Sequence, residues 1–90
     1  MKTLSSQDIG SIIRFHRKQS GLSQQALAEM AGVGKTVVFD VEKGKPTVRM
    51  DTLLKICHVL NLRVALEGPL MGQWMAQHGT ESQDPGEAEI

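Results

Sequence analysis

Two stretches with helical spacing, joined by three residues, constrain the fold of this 90-residue chain more than any other feature. The first, residues 23–31, opens on a serine that can cap a helix and carries apolar residues on one face, namely Leu27, Met30 and Ala31. The second starts near Lys35 and has Val38 and Val41 three positions apart. The connection, residues 32–34 (GVG), has the length and composition of the turn in a helix-turn-helix motif, in which two helices cross at a steep angle.

The same letters offer a second interpretation, because Gly34, Lys35 and Thr36 match the end of the phosphate-binding loop G-x-x-x-x-G-K-[ST]. That loop would need a glycine where the chain has Glu29, whose charge would repel phosphate. It also needs a buried strand before it, but the preceding residues have helical spacing, and no part of the chain supplies a parallel sheet. The sequence therefore favours the helix-turn-helix over a nucleotide-hydrolysing enzyme.

The rest of the chain predicts further helices and one short strand. A first helix begins after a serine at position 5 or 6, and a fourth begins near residue 51. Apolar and polar residues alternate over residues 62–67, as in a strand. From about residue 79 the chain is rich in Gly, Ser, Thr, Gln, Pro and acid, which predicts disorder. We expect a mainly α fold of four to five helices, with a domain over residues 1–69 and a C-terminal segment over residues 70–90.

The zero net charge of the chain hides an asymmetry. All ten Lys and Arg lie at or before Arg63, whereas five of the ten Asp and Glu follow residue 66. A basic body with an acidic end indicates an anionic partner for the body, although ordinary charge scatter is the alternative. The single cysteine suits a reducing cytosol, and no apolar stretch is long enough to span a membrane. We therefore expect a cytoplasmic protein.

Residues 22–47, LSQQALAEMAGVGKTVVFDVEKGKPT, resemble the lambda-repressor/Cro class of helix-turn-helix domains, and the resemblance covers roughly residues 8–62. The following GKPTVRMDTLLKICHVLNLRVAL is similar to HipB-like antitoxins, in which a strand follows the last helix. The resemblance implies a repressor that binds double-stranded DNA at a palindromic operator. It also implies a HipA-like serine/threonine kinase toxin as partner, which the antitoxin binds while repressing the shared operon.

Side chains opposite the valines of the third helix are the candidate readers of base edges in the major groove, namely Lys35, Thr36, Val37, Phe39 and Asp40. Lys35 can contact guanine O6 or N7, or a phosphate. The methyl groups of Thr36 and Val37 can touch a thymine methyl. Phe39 can do the same or pack at the helix edge. Asp40 can accept a hydrogen bond from cytosine N4, or it can act by lowering the affinity for other DNA sequences.

Residues around this helix complete the candidate interface. Gln24 opens the second helix and matches the residue that hydrogen-bonds a DNA phosphate in the resembled class, the alternative being a solvated glutamine. Lys43 and Lys45 follow the third helix, where they can contact phosphates or form a solvated basic loop. The resemblance implies a structural role for Arg17 and Glu42, which pair across the domain in that class.

The predicted strand suggests how two chains associate, through residues Leu62, Arg63, Val64, Ala65, Leu66 and Glu67. A lone strand has unpaired backbone groups, and a second copy about a two-fold axis would pair them in an antiparallel homodimer. With the axis at Ala65, Arg63 faces Glu67 and Val64 faces Leu66, and both are favourable cross-strand pairs. We expect the helices to be covered by Leu62, Val64 and Leu66.

A small apolar cluster follows, formed by Leu70, Met71, Trp74 and Met75. It is a candidate docking surface for the toxin, because Trp is often an energetic hot spot, or it covers the core of the dimer. The adjacent Cys57 and His58 do not face one another on a helix, and the histidines lack metal-ligand spacing. We therefore predict no catalytic residues, metal or cofactor. Two alternatives stay open, a phage-like or housekeeping regulator without a toxin, and a protein-interaction module that does not bind DNA.

Overall fold

The computed structural model describes residues 3–78 and 87–89, which form five helices and two short strands. Their order along the chain is α1 (Ser6–Gln19), α2 (Gln24–Ala31), α3 (Lys35–Glu42), α4 (Met50–Val59), β1 (Ala65–Glu67), α5 (Met71–His78) and β2 (Glu87–Glu89). The predicted mainly α fold is confirmed.

Local capping sets where α1 and α2 begin and end. The Ser5 hydroxyl accepts from the Asp8 backbone N–H at 3.1 Å, and the Asp8 carboxylate accepts from the Ser5 N–H at 3.0 Å, which makes a capping box. Ser23 caps α2 by accepting from the Ala26 N–H at 3.0 Å. Gly32 ends α2 with φ +70°, a left-handed conformation that a residue with a Cβ adopts only at a cost.

One hydrophobic core joins the first four helices, and its buried members are Ile13, Leu27, Ala28, Val38, Val41, Ile56, Cys57 and Leu60. The prediction that Met30 shares the inner face of α2 is wrong, because its side chain is 62% exposed. The inner face is centred on Leu27, Ala28 and Ala31, and this rotation turns position 30 toward solvent. Burying Ala28 lets α2 and α3 approach closely at the turn between them.

Gly10 allows α1 and α3 to come into backbone contact. A Cβ at this position would lie 2.8 Å from the carbonyl oxygen of Glu42 and closer still to that of Val41. Those two carbonyls belong to the last turn of α3, so α1 covers the end of that helix. Glycine is required here for space, although it is intrinsically a poor helix former.

An ion pair between Arg17 of α1 and Glu42 of α3 reinforces the same contact. The guanidinium donates from Nε to Oε2 at 2.6 Å and from Nη2 to Oε1 at 2.9 Å, while Nη1 donates to the Leu22 carbonyl at 2.9 Å. The two side chains are 10% and 3% exposed. The pKa of Arg17 is raised by its hydrogen bond to Glu42 and by the charge of that carboxylate, against the opposing effect of burial. The pairing that the sequence resemblance implied is present.

The strand region differs from the prediction in length and in pairing. The strand spans Ala65–Glu67 rather than six residues, and it pairs antiparallel with β2 of the same chain in the register Ala65↔Glu89, Leu66↔Ala88 and Glu67↔Glu87. Leu62 and Val64 are partly buried against the core, but Leu66 is 58% exposed. The expectation that Leu66 covers the helices was made for a homodimer and stays a prediction, since the single chain packs Leu62 and Val64 but not Leu66 against the core.

The predicted disorder from about residue 79 falls mainly on residues 79–86, which lie outside the described residues. At residues 87–89 the structure has a strand instead. The physical reason is the edge of β1, whose backbone groups provide hydrogen-bonding partners for an extended segment.

We expect Glu42→Ala to lower the free energy of unfolding by about 3–5 kcal/mol, because it leaves the largely buried Arg17 guanidinium without its carboxylate. The exposed Glu29 offers a control, and Glu29→Ala should change stability by about 0.5 kcal/mol or less. Urea denaturation followed by circular dichroism measures both. Equal, small effects of the two substitutions would contradict a structural role for the ion pair.

Candidate nucleic-acid interface

Helix α3 presents a mixed polar and apolar face to solvent. Lys35, Thr36 and Phe39 are exposed, whereas Val38 and Val41 on the opposite face are buried. The helix begins directly after the turn, with Gly34 in the N-cap position. Because α1, α2 and the core hold the inner face, the first residues of α3 lie at the surface in a fixed orientation. This is the placement that the sequence predicted for a reading helix.

Val37 and Asp40 lie at one edge of that face and are partly buried. Val37 packs against the core, so a part of its side chain is already occupied within the protein. Asp40 pairs with Lys45, whose Nζ lies 3.5 Å from Asp40 Oδ2. The predicted base-reading residues therefore divide into three exposed side chains and two that also serve the protein's own packing.

Lys43 and Phe39 form a second internal contact at the end of α3. The Lys43 Nζ lies 4.8 Å from the centre of the Phe39 ring, within the range of a cation–π interaction. Phe39 is 44% exposed, so its ring lies at the surface of the helix rather than inside the protein. The Lys43 ammonium group lies over this exposed ring. A DNA phosphate could draw Lys43 away from the ring, since an ammonium is attracted more strongly by an anion than by an aromatic face.

A depression between α3 and the start of α4 brings further residues into this surface. Its lining includes Asp40 and Lys45 from the predicted site, together with Thr47, Arg49 and Thr52. Sequence reasoning missed Arg49, which occupies the N-cap position of α4 and is exposed. Its Nη2 lies 3.3 Å from the exposed Asp51 carboxylate. The signal that could have identified it is the run of cations at positions 43, 45 and 49.

Gln24 is held close to the ion pair described above. Its Nε2 donates to Glu42 Oε1 at 3.2 Å, a bond between the first residue of α2 and the last residue of α3. An amide nitrogen carries two N–H groups, so the second can still donate to a phosphate oxygen. Gln24 thus bonds α2 to α3 and keeps one N–H group for the predicted phosphate contact.

The C-terminal apolar cluster is divided between two environments. Met75 is buried and Met71 is half-buried, whereas Leu70 is 65% exposed and Trp74 is 44% exposed. The Trp74 indole stacks on the His78 ring, with 4.5 Å between ring centres. The cluster therefore contributes one side chain to the interior and leaves Leu70 and Trp74 at the surface.

The part of the chain that the structure describes gives little support for a metal site, a cysteine nucleophile or a membrane span. Residues 3–78 and 87–89 contain no group of three His, Cys, Asp or Glu side chains that could hold a metal ion. Cys57 is 4% exposed, and its burial raises the pKa of the thiol, which makes it a poor nucleophile at neutral pH. Across the same residues no helix combines the length and apolarity needed to cross a bilayer.

Comparison with known proteins places this geometry in a family. The helix-turn-helix family matches residues 13–66. An uncharacterized HTH-type transcriptional regulator of Sinorhizobium fredii, y4mF, is 37% identical over 62 residues, which are 69% of this chain and 82% of that protein. The control protein C.SmaI of Serratia marcescens is 35% identical over 52 residues, 58% of this chain and 62% of that protein.

Solved structures agree with the sequence comparison. The restriction-modification controller protein C.AhdI from Aeromonas hydrophila has a TM-score of 0.59 at 32% identity, covering 63% of this chain and 86% of that one. The HipB-O4 20mer complex has a TM-score of 0.63 at 24% identity, covering 69% and 87%, which shows a shared fold. This chain belongs to the helix-turn-helix family of the lambda-repressor/Cro type and is a transcriptional regulator of that family.

Proposed function

We propose that this regulator is a cytoplasmic, homodimeric repressor that binds a palindromic operator with α3 in the major groove, and that it is the antitoxin of a HipA-type kinase pair. The observation that best supports the DNA-binding role is the outward face of α3. It exposes Lys35, Thr36 and Phe39, and the exposed cations Lys45 and Arg49 lie beside it. A recognition helix of this kind contacts base edges through its first residues.

The proposed contacts divide into base reading and phosphate binding. Lys35 is assigned to a guanine and the Thr36 methyl to a thymine, because both open α3 and are exposed. Phosphates are assigned to Gln24 and to the basic residues that follow the end of α3, namely Lys43, Lys45 and Arg49. In the single chain Asp40 is paired with Lys45, and in the complex a phosphate would replace Asp40 as the partner of that lysine.

Dimerisation is proposed through residues 62–67 of two chains. One such domain contacts few bases, and a two-fold dimer reads two half-sites about 34 Å apart. The strand and its flanking residues Arg63 and Val64 come shortly after the end of α4, so they can fix the relative position of two recognition helices. A self-pairing centred on Ala65 places Arg63 opposite Glu67.

The antitoxin role is supported by the sequence similarity to HipB-like antitoxins and by the strand that follows α4. Among the structures of the same fold is the HipA-HipB-O2-O3 complex. We assign Leu70 and Trp74 to toxin docking, because they are the exposed members of the C-terminal cluster. The second candidate is a regulator without a toxin, and the 32% identity to the controller protein C.AhdI favours it.

Replacing the two residues that open α3 tests the DNA-binding role. We expect the double variant Lys35→Ala/Thr36→Ala to stay folded and to lose about 1–3 kcal/mol of discrimination at the base pairs that it contacts. Mobility shifts on the gene's own promoter, with single base-pair changes, measure this. Lys18→Ala, an exposed cation on α1, is the control and should keep the base preference. Unchanged affinity and preference in the double variant would contradict the proposal, whereas a failure of the unsubstituted protein to bind the promoter at all would favour a protein-interaction module.

The assignment of phosphates to Lys45 and Arg49 predicts a different behaviour. Each substitution to Ala should weaken binding to all sequences alike and reduce the slope of log affinity against log salt by about one. Titrations between low and physiological salt measure the slope, again with Lys18→Ala as the control. A salt slope that stays the same in both variants would show that these two residues do not contact phosphates.

Purification from the native cell separates the two candidates for the wider role. An antitoxin should co-purify with a protein kinase, and Trp74→Ala should release that kinase while leaving promoter binding intact. Gln73→Ala, at an exposed neighbouring position of α5, is the control and should retain the kinase. Recovery of the regulator bound to its promoter without any kinase would favour the toxin-free regulator.

A further inference from the structure

The buried carboxylate of Glu42 bonds two side chains, and the second of them is a proposed DNA contact. It accepts from the Arg17 guanidinium at 2.6 and 2.9 Å and from the Gln24 amide nitrogen at 3.2 Å. We propose that Glu42 is a positioning residue for operator binding, which holds the Gln24 amide in the orientation that can donate to a DNA phosphate. This inference rests on the proposed DNA-binding function and adds to it a residue that acts through Gln24.

The chemistry of the two groups decides which end of the Gln24 amide faces Glu42. A glutamine amide has a donor end and an acceptor end, and only the donor end can bind a phosphate. An ionised carboxylate accepts hydrogen bonds and donates none, so the bond to Glu42 forms only when the amide nitrogen faces it. One N–H group of that nitrogen bonds Glu42 and the other is left for the duplex. The orientation is therefore selected before DNA arrives.

Glu42 can hold another side chain because it is itself held in one place. Its side chain is 3% exposed, and the Arg17 guanidinium donates to both of its oxygen atoms. The bond to Gln24 joins the last residue of α3 to the first residue of α2, so it sets the amide nitrogen at a fixed distance from the recognition helix. A side chain that is ordered before binding loses less conformational entropy when the phosphate contact forms.

The charge of Glu42 does not oppose a phosphate at the neighbouring nitrogen, because Arg17 neutralises it. The pKa of Arg17 is raised by its hydrogen bond to Glu42, so the guanidinium stays charged at neutral pH. A phosphate beside Gln24 therefore meets a neutral ion pair rather than an isolated anion. The carboxylate can thus orient the donor without repelling the acceptor that the donor has to bind.

A second glutamine–glutamate bond on α2 offers a matched control. Gln25 Nε2 donates to Glu29 Oε1 at 3.0 Å, and both side chains are exposed and lie on the same helix. This bond has the same chemistry as the bond between Gln24 and Glu42 but does not reach α3. Replacing Glu29 by glutamine also changes the net charge by the same amount as replacing Glu42.

A double-substitution cycle in the full-length chain separates positioning from a merely structural role. Gln24→Ala should weaken promoter binding about tenfold, because it removes a hydrogen bond to a charged group. Glu42→Gln should weaken binding about three- to tenfold when Gln24 is present, and less than about twofold when Gln24→Ala is already in place. Glu29→Gln and Gln25→Ala should each leave the affinity unchanged. Mobility shifts measure the four affinities at a temperature at which circular dichroism shows every variant folded.

Equal losses from Glu42→Gln with and without Gln24 would overturn the positioning role, because Glu42 would then act only by holding α3. A measurement on the unsubstituted protein decides the question if Glu42→Gln does not fold. The side-chain amide resonances of Gln24 should shift when the promoter duplex is added, whereas those of Gln25 should stay in place. Unchanged Gln24 resonances alongside shifted α3 resonances would overturn the positioning role and leave DNA binding intact. A protein that does not bind its promoter would overturn the proposed function itself, and the positioning role with it.

Discussion

The Arg17–Glu42 ion pair is the interaction on which the orientation of the helix-turn-helix depends. Its hydrogen bonds reach α1, the backbone at Leu22, the first residue of α2 through Gln24, and the last residue of α3. A carboxylate at the C-terminus of a helix is intrinsically unfavourable, because the helix dipole is negative there, and the guanidinium offsets that cost. The same end of α3 lies against Gly10, so charge and close packing fix one helix in one place.

Because the C-terminal end of α3 is fixed, its N-terminal end and its outer face are the parts that are available to contact a duplex. The side chains on that face are partly committed to one another in the single chain, Lys43 over Phe39 and Lys45 against Asp40. Both lysines are exposed and Asp40 is partly buried, and contacts of this kind are weak, so a phosphate can replace them at small cost. The backbone of α3 is thus held by the core and by the buried ion pair, whereas its basic side chains make weak surface contacts. That combination suits a surface that contacts the phosphates of a duplex while Lys35, Thr36 and Phe39 face its bases.

The sequence predicted the features that arise from local signals. Ser23 and Gly32 bound α2 through hydrogen bonds and backbone conformation within a few residues, and the two valines of α3 set its inner face. It did not predict the pairing of residues 87–89 with β1, because the strand register depends on contacts far apart in the chain. Arg49 was missed for the same reason, since its charge joins the interface only where the start of α4 lies beside Asp40 and Lys45.

The central claim is that the outer face of α3 contacts the duplex, and mapping the contact residue by residue tests it most directly. Isotope-labelled full-length protein would be titrated with a duplex from its own promoter while the backbone amide resonances are followed. The account predicts that the largest shifts occur at Gln24, along α3 from Lys35 to Asp40, and at Lys45 and Arg49. Shifts confined to α5, with α3 unchanged at saturating duplex, would contradict it.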